Sequence, residues 1–179
     1  MTALEIELFT VDHAIRGYIE TGGERLSDVM NDRKQSSVLL SDAYMIRLFN
    51  AGNAAKTRLV EANVDKSQIL FARPVQADLT HKSLYRRATR QLYQAAFNLP
   101  SFEIRGVIHL TGKFDVARVL IERPEDFIPI TNCRATYMFN PRLEIAANIF
   151  VVNKHRVTMI AEVRPEPANS ASIPAGDQR

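Results

Sequence analysis

The sequence is short of several things that usually announce a function. Its 179 residues include one cysteine, Cys133, and no tryptophan. One cysteine excludes a disulfide within the chain and points to a reducing compartment. It also leaves no thiolate cluster for zinc, and His13, His81, His109 and His155 lack the helix or hairpin spacing of a metal site. No window approaches the ~18 consecutive apolar residues of a spanning helix. The opening Met1-Thr2-Ala3-Leu4-Glu5-Ile6-Glu7 has no basic region and no long apolar run, so it does not read as a secretion signal. These absences predict a cytoplasmic protein with no membrane partner. The seven glycines form no phosphate loop, dinucleotide fingerprint or nucleophile elbow. No set of nucleophile, base and orienting group can be named, so the chain reads as a non-enzyme without a cofactor.

What the chain does have is an internal echo. Ile15, Arg16, Gly17, Ile19 and Gly23 match Ile104, Arg105, Gly106, Ile108 and Gly112. One inserted residue later, Arg33 matches Arg123, and Phe49-Asn50 matches Phe139-Asn140. After a two-residue deletion, Val64 and Lys66 match Val152 and Lys154. The apolar positions track as well: Val29-Met30 with Val119-Leu120, Val38 with Ile128, Leu40 with Ile130. Self-similarity of this kind is the signature of a repeated unit. The sequence divides into a first repeat at 4–74, a connector at 75–101, a second repeat at 102–164 and a tail at 165–179. The tail is rich in Pro, Ala, Asn and Ser and is expected to be disordered. Units of this size bury little core alone and should lean on each other.

Each unit reads mainly as strand. Leu4, Ile6 and Leu8 alternate with Glu5 and Glu7, and Ile15, Gly17 and Ile19 share one face of a second strand. Gly17 inside that strand marks a sharp bend or a close backbone approach, as at a barrel corner. Leu26, Val29 and Met30 switch to helical spacing, as do Val116, Val119 and Leu120. Residues 36–49 return to strand, with a break expected near Ser41-Asp42 and its counterpart Asn132. Asp65-Lys66-Ser67 and Asn153-Lys154-His155 read as the turns of closing hairpins. The connector reads as a helix over 79–98, capped by Asp78 or Thr80, with Tyr85, Ala88, Leu92 and Ala96 as its apolar stripe.

The I-R-G strand at Ile15-Arg16-Gly17, the segment Arg25-Leu26-Ser27-Asp28-Val29-Met30-Asn31 and the turn Leu40-Ser41-Asp42 resemble an uncharacterised bacterial family of small β-barrel domains, SH3-like or Sm-like. The resemblance covers about 60 residues per copy. It implies a mainly β fold with helices: two tandem small barrels related by pseudo-twofold symmetry and joined by an α-helix. The resemblance implies no activity. Sm-like proteins bind RNA, but the Arg-Gly or Lys-Gly turn of their second motif is replaced here by Asp65-Lys66-Ser67 and Asn153-Lys154-His155.

The net charge of +3 is unevenly placed. The segment 75–101 carries four basic residues, Lys82, Arg86, Arg87 and Arg90, against one acid, Asp78. Clustered cations are what phosphate contacts require, so these four are the candidate nucleic-acid contacts, with RNA or single-stranded DNA as the partner. The plainer reading is a helix with one wetted basic side. Arg16 and Arg105, paired by the repeat, are a candidate anion-binding pair, or simply two solvated strand arginines. Gly22-Gly23 before a short helix is a turn. The leading functional expectation is a protein-interaction or assembly module, self-associating or binding a protein partner; nucleic-acid binding through the connector is the alternative.

Overall fold

The computed structural model describes residues 2–49, 56–76 and 90–164. They form ten antiparallel strands in one sheet. In chain order these are β1 (Ala3–Phe9), β2 (His13–Glu20), α1 (Leu26–Asn31), β3 (Ser37–Arg47), β4 (Thr57–Asp65) and β5 (Phe71–Pro74). Then follow β6 (Gln91–Leu99), β7 (Phe102–Leu110), β8 (Phe127–Tyr137), β9 (Glu144–Asn153) and β10 (Met159–Glu162). Single 3-10 turns at Lys66–Gln68 and Lys154–Arg156 precede β5 and β10, and a π turn at Arg118–Glu122 lies before β8.

The sheet runs β10-β6-β7-β8-β9-β5-β1-β2-β3-β4. Each half therefore has the same internal order: its fifth strand, then first, second, third and fourth. The registers agree as well. Ile6 faces Gly17 and Ala95 faces Gly106. The register slips between Arg16 and Tyr18 in one half and between Arg105 and Val107 in the other. Ser37 faces Asp65 and Phe127 faces Asn153.

The slip is a β-bulge, and its causes are local. Asp42 and Asn132 take positive φ values of 43° and 51°, a conformation short polar side chains tolerate. The strand expected to break at Ser41-Asp42 instead runs on as β3, bent at the bulge. Gly17 and Gly106 lie opposite. A Cβ on Gly17 would come within 3.0 Å of both the Ala43 Cβ and the Ser41 carbonyl oxygen.

The seam between the halves joins β5 to β9, with Phe71 opposite Val152 and Ala72 opposite Val151. A twofold relation would need a seam of like strands, or a second seam between β4 and β10. The described residues pair neither. The halves are joined head to tail, fourth strand to fifth, in place of the expected pseudo-twofold pair. The sheet is one open antiparallel layer with two apolar cores on it. One is built mostly from the second half but takes in Phe9, Leu70 and Phe71. The other is built mostly from the first half but takes in Phe127 and Val151. Phe71 stacks on Phe9 at 4.4 Å and meets the Phe102 edge at 5.0 Å and Phe150 at 4.9 Å.

Two expectations are corrected. The connector does not continue as helix to 98: residues 91–99 are strand β6, the counterpart of β1. Tyr93, Ala95, Phe97 and Leu99 alternate inward, while Leu92, part of the expected helical stripe, is exposed. The expected helix over 79–89 lies outside the described residues, as does the tail at 165–179. The closing hairpins are also absent: β4 does not pair with β5, nor β9 with β10. Asp65 caps the Ser67 N–H at 2.7 Å and Asn153 caps that of His155 at 3.0 Å. Each cap starts a tight 3-10 turn that carries the chain away to pair with the first strand of its own half.

Candidate functional site: a basic cleft between the halves

A cleft of about 1010 Å³ opens where α1, the end of β5, β9 and the segment 109–125 converge. Its lining contains Arg25, Arg73, Arg90, Lys113, Arg118 and Arg123 against Asp28, Glu122 and Glu125, so cations outnumber acids. Pro129, Ala147, Ile149 and Val151 give it an apolar floor.

The cleft walls are set by capping interactions, those of Asn31 across the seam and those of Lys66 and Lys154 within each half. Asn31, at the end of α1, donates through Nδ2 to the Ser27 and Phe127 carbonyls, both at 2.8 Å. Its Oδ1 accepts from the Asp126 and Phe127 N–H groups at 2.9 and 2.8 Å. Lys66 donates to the Val29 and Asp32 carbonyls at 3.1 and 2.8 Å, closing the end of α1. Its counterpart Lys154 donates to the Arg123 carbonyl at 2.5 Å. Burial pulls Lys66 below the ordinary lysine value, while Asp32 and Asp126 oppose that.

The arginines of the cleft differ in how they are matched. Arg73 donates from Nε and Nη2 to Glu7 Oε2 at 2.8 and 2.6 Å, and from Nη1 to the Ala146 carbonyl at 2.9 Å. Arg118 lies 3.6 Å from Glu122 in an exposed pair, an arrangement of little energetic weight. Arg123 is half-buried, and its Nη2 donates to the His109 carbonyl at 2.8 Å. No carboxylate lies within ion-pairing distance of it among the described residues. Burial pulls its pKa down, Arg90 adds to that, and Glu125 opposes it. Arginine keeps its charge regardless, so a half-buried cation stands in the cleft wall. His109, hydrogen-bonded to Thr131 Oγ1 at 2.9 Å, is likewise pulled below the ordinary imidazole value by burial, then by Arg90 and Arg123.

Of the residues singled out in the sequence, Arg90 is exposed and lines this cleft. Lys82, Arg86 and Arg87 lie outside the described residues. Arg16 and Arg105 are not brought together: their strands, β2 and β7, are five places apart in the sheet. Each is matched to a glutamate instead, Arg16 Nε to Glu5 at 2.8 Å and Arg105 Nε to Glu103 at 3.0 Å. Sequence reasoning missed the cleft, because its cations come from four separate segments. The one signal was the Arg33/Arg123 match. Arg33 donates to the Pro124 carbonyl and lies 3.8 Å from Asp126, so the two arginines flank the same stretch of chain.

Cys133 is buried, its thiol donating to the Ile130 carbonyl at 3.1 Å. Burial pushes its pKa up to about 12, which leaves no thiolate at neutral pH. No group of three His, Cys, Asp or Glu that could hold a metal occurs among the described residues, and no helix there is long and apolar enough to cross a membrane. Compared with known proteins, the chain matches no family model, no curated protein and no solved structure.

Proposed function

We propose that the protein is an assembly module without enzymatic activity that joins copies of itself edge to edge. The observation that supports this is the seam. The fourth strand of one half already pairs with the fifth strand of the other, β9 with β5. The counterparts of those two strands, β4 and β10, are the ends of the sheet among the described residues. A head-to-tail contact that leaves both complementary surfaces free can repeat between copies, closing into a ring or running open. An unpaired edge is a ready template for such pairing.

The counterpart of the existing seam sets a definite register. Met159 of one copy would face Val64 of the next, and Ile160 would face Asn63. The helical segments give the same answer. In the existing seam, Asn31 of α1 anchors to Phe127 at the start of the neighbouring β8. The repeat places Ile121 where Asn31 stands, and Ile121 is 78% exposed. Along β4, Val60 is 89% exposed. A second copy would cover Ile121, whereas Asn148, the counterpart of Val60, stays exposed in the existing seam.

The test is mass in solution, by light scattering across a range of concentrations. The expected result is a particle of several chains against the 20.2 kDa of one. The changes Met159→Lys and Ile121→Asp, both at exposed positions, should shift it to the single-chain mass without unfolding it. A wild-type protein that stays monomeric throughout overturns the reading. So does an oligomer whose mass both variants leave unchanged.

A further inference from the structure

We propose that the cleft between the halves is a binding site for a nucleotide-sized phosphorylated small molecule, with Arg123 as its principal phosphate contact. This does not depend on self-assembly. The inference begins from an unmatched charge. A cation taken partly out of water is costly unless an anion or several hydrogen bonds compensate it. Arg73, in the same cleft, has Glu7 at 2.6 Å. Arg33, the repeat counterpart, has Asp126 at 3.8 Å. Arg123 has neither, although its position is fixed: the His109 carbonyl holds its guanidinium and Lys154 holds its own carbonyl. A planar guanidinium held in place with donors to spare is suited to phosphate oxygens.

The surroundings point the same way. Lys113, exposed and without an ion pair among the described residues, stands on the rim. Burial pulls both His109 and Arg123 below their ordinary values, and Arg90 adds to that at each, while Glu125 opposes it at Arg123.

Size and lining narrow the ligand class. At about 1010 Å³ the cleft is far larger than one phosphate needs and is at the upper end for small-molecule sites. The apolar floor of Pro129, Ala147, Ile149 and Val151 offers a flat organic group a dry surface. The carboxylates Asp28, Glu122 and Glu125 interrupt the cations. They would repel a continuous phosphodiester backbone but can accept hydrogen bonds from hydroxyl or amino groups. That mixture favours a small ligand with a phosphorylated end over a nucleic-acid strand.

Isothermal titration calorimetry on the full chain at low ionic strength tests this with ATP, pyrophosphate, adenosine and a single-stranded 12-mer oligonucleotide. ATP and pyrophosphate should bind, adenosine should not, and added salt should weaken both complexes. Arg123→Gln should reduce ATP affinity at least about tenfold, the order expected for a lost charge-assisted pair. Lys113→Gln, at an exposed position, should reduce it about threefold, and Glu125→Gln should raise it. Urea denaturation of each variant separates lost binding from lost folding. Lys113→Gln and Glu125→Gln carry the test if Arg123→Gln proves unstable. No binding of ATP or pyrophosphate overturns the proposal. So does ATP binding that these substitutions leave unchanged, or binding of the oligonucleotide alone.

Discussion

At the scale of single residues, the two strand glycines carry the most consequence. Gly17 and Gly106 sit where a bulge brings the neighbouring strand so close that a methyl group fits only if the neighbour gives by a few tenths of an ångström. The added Cβ on Gly106 would lie 3.1 Å from the Thr131 carbonyl oxygen and 3.3 Å from Cys133 Sγ. A backbone oxygen moves aside less readily than a side-chain end, so the strand itself has to give by a few tenths of an ångström. Gly17→Ala and Gly106→Ala should each destabilise by about 1–3 kcal/mol, the usual cost of overpacking. Urea denaturation monitored by circular dichroism measures it. Wild-type stability in both variants would show that the bulge absorbs the strain. These glycines were legible in the sequence, because a glycine that interrupts an alternating apolar pattern marks a place where another backbone comes close. Arg123 was not: its significance lies in what is missing around it, and a sequence does not display missing neighbours.

At the scale of elements, legibility followed how local the signal was. The short helix at Leu26–Asn31 and the strands around it were readable from spacing alone. The segment 91–99 was not, because Tyr93, Ala95, Phe97 and Leu99 satisfy period two while Leu92 and Ala96 satisfy a helical step. Pairing with β7 along nine residues decided for strand, a tertiary contact overriding a local preference. The hairpins failed for a related reason: a turn signal shows that the chain bends, not which strand it then meets. Asn31 is the side chain that turns α1 from a local helix into part of the seam. Asn31→Ala would leave the Phe127 and Asp126 backbone groups without their partner, at a cost of about 1–3 kcal/mol. Amide exchange at Asp126 and Phe127 should accelerate, along with exchange in α1. Asn31→Asp should keep the two accepted bonds, lose the two donated ones and fall between. If the alanine variant exchanges at the wild-type rate, α1 is held by Leu26, Met30 and the Lys66 contacts without it.

At the scale of the whole molecule, the head-to-tail seam should make the two halves one cooperative unit. Each core takes residues from the other half, and Phe71 is where they meet. It stacks on Phe9 of its own half and contacts Phe102 and Phe150 of the other. It is fully buried, and its backbone pairs with both β1 and β9. Removing its ring should cost about 3–5 kcal/mol, a large share of the roughly 5–15 kcal/mol that holds a native domain together. The distribution of that loss is the informative part. If the halves were separate domains sharing an edge, Phe71→Ala would loosen β1 and β2 and leave β7 and β8 protected. With shared cores, protection in β3 and in β8 should fall by the same amount, and denaturation should remain a single transition with an unchanged dependence on urea. Native-state hydrogen exchange resolves the two cases. Protection lost in one half only, or a transition split in two, would mean that the β5–β9 seam joins the halves without coupling them. A seam of that kind could still repeat between copies, but it would transmit no stability from one to the next.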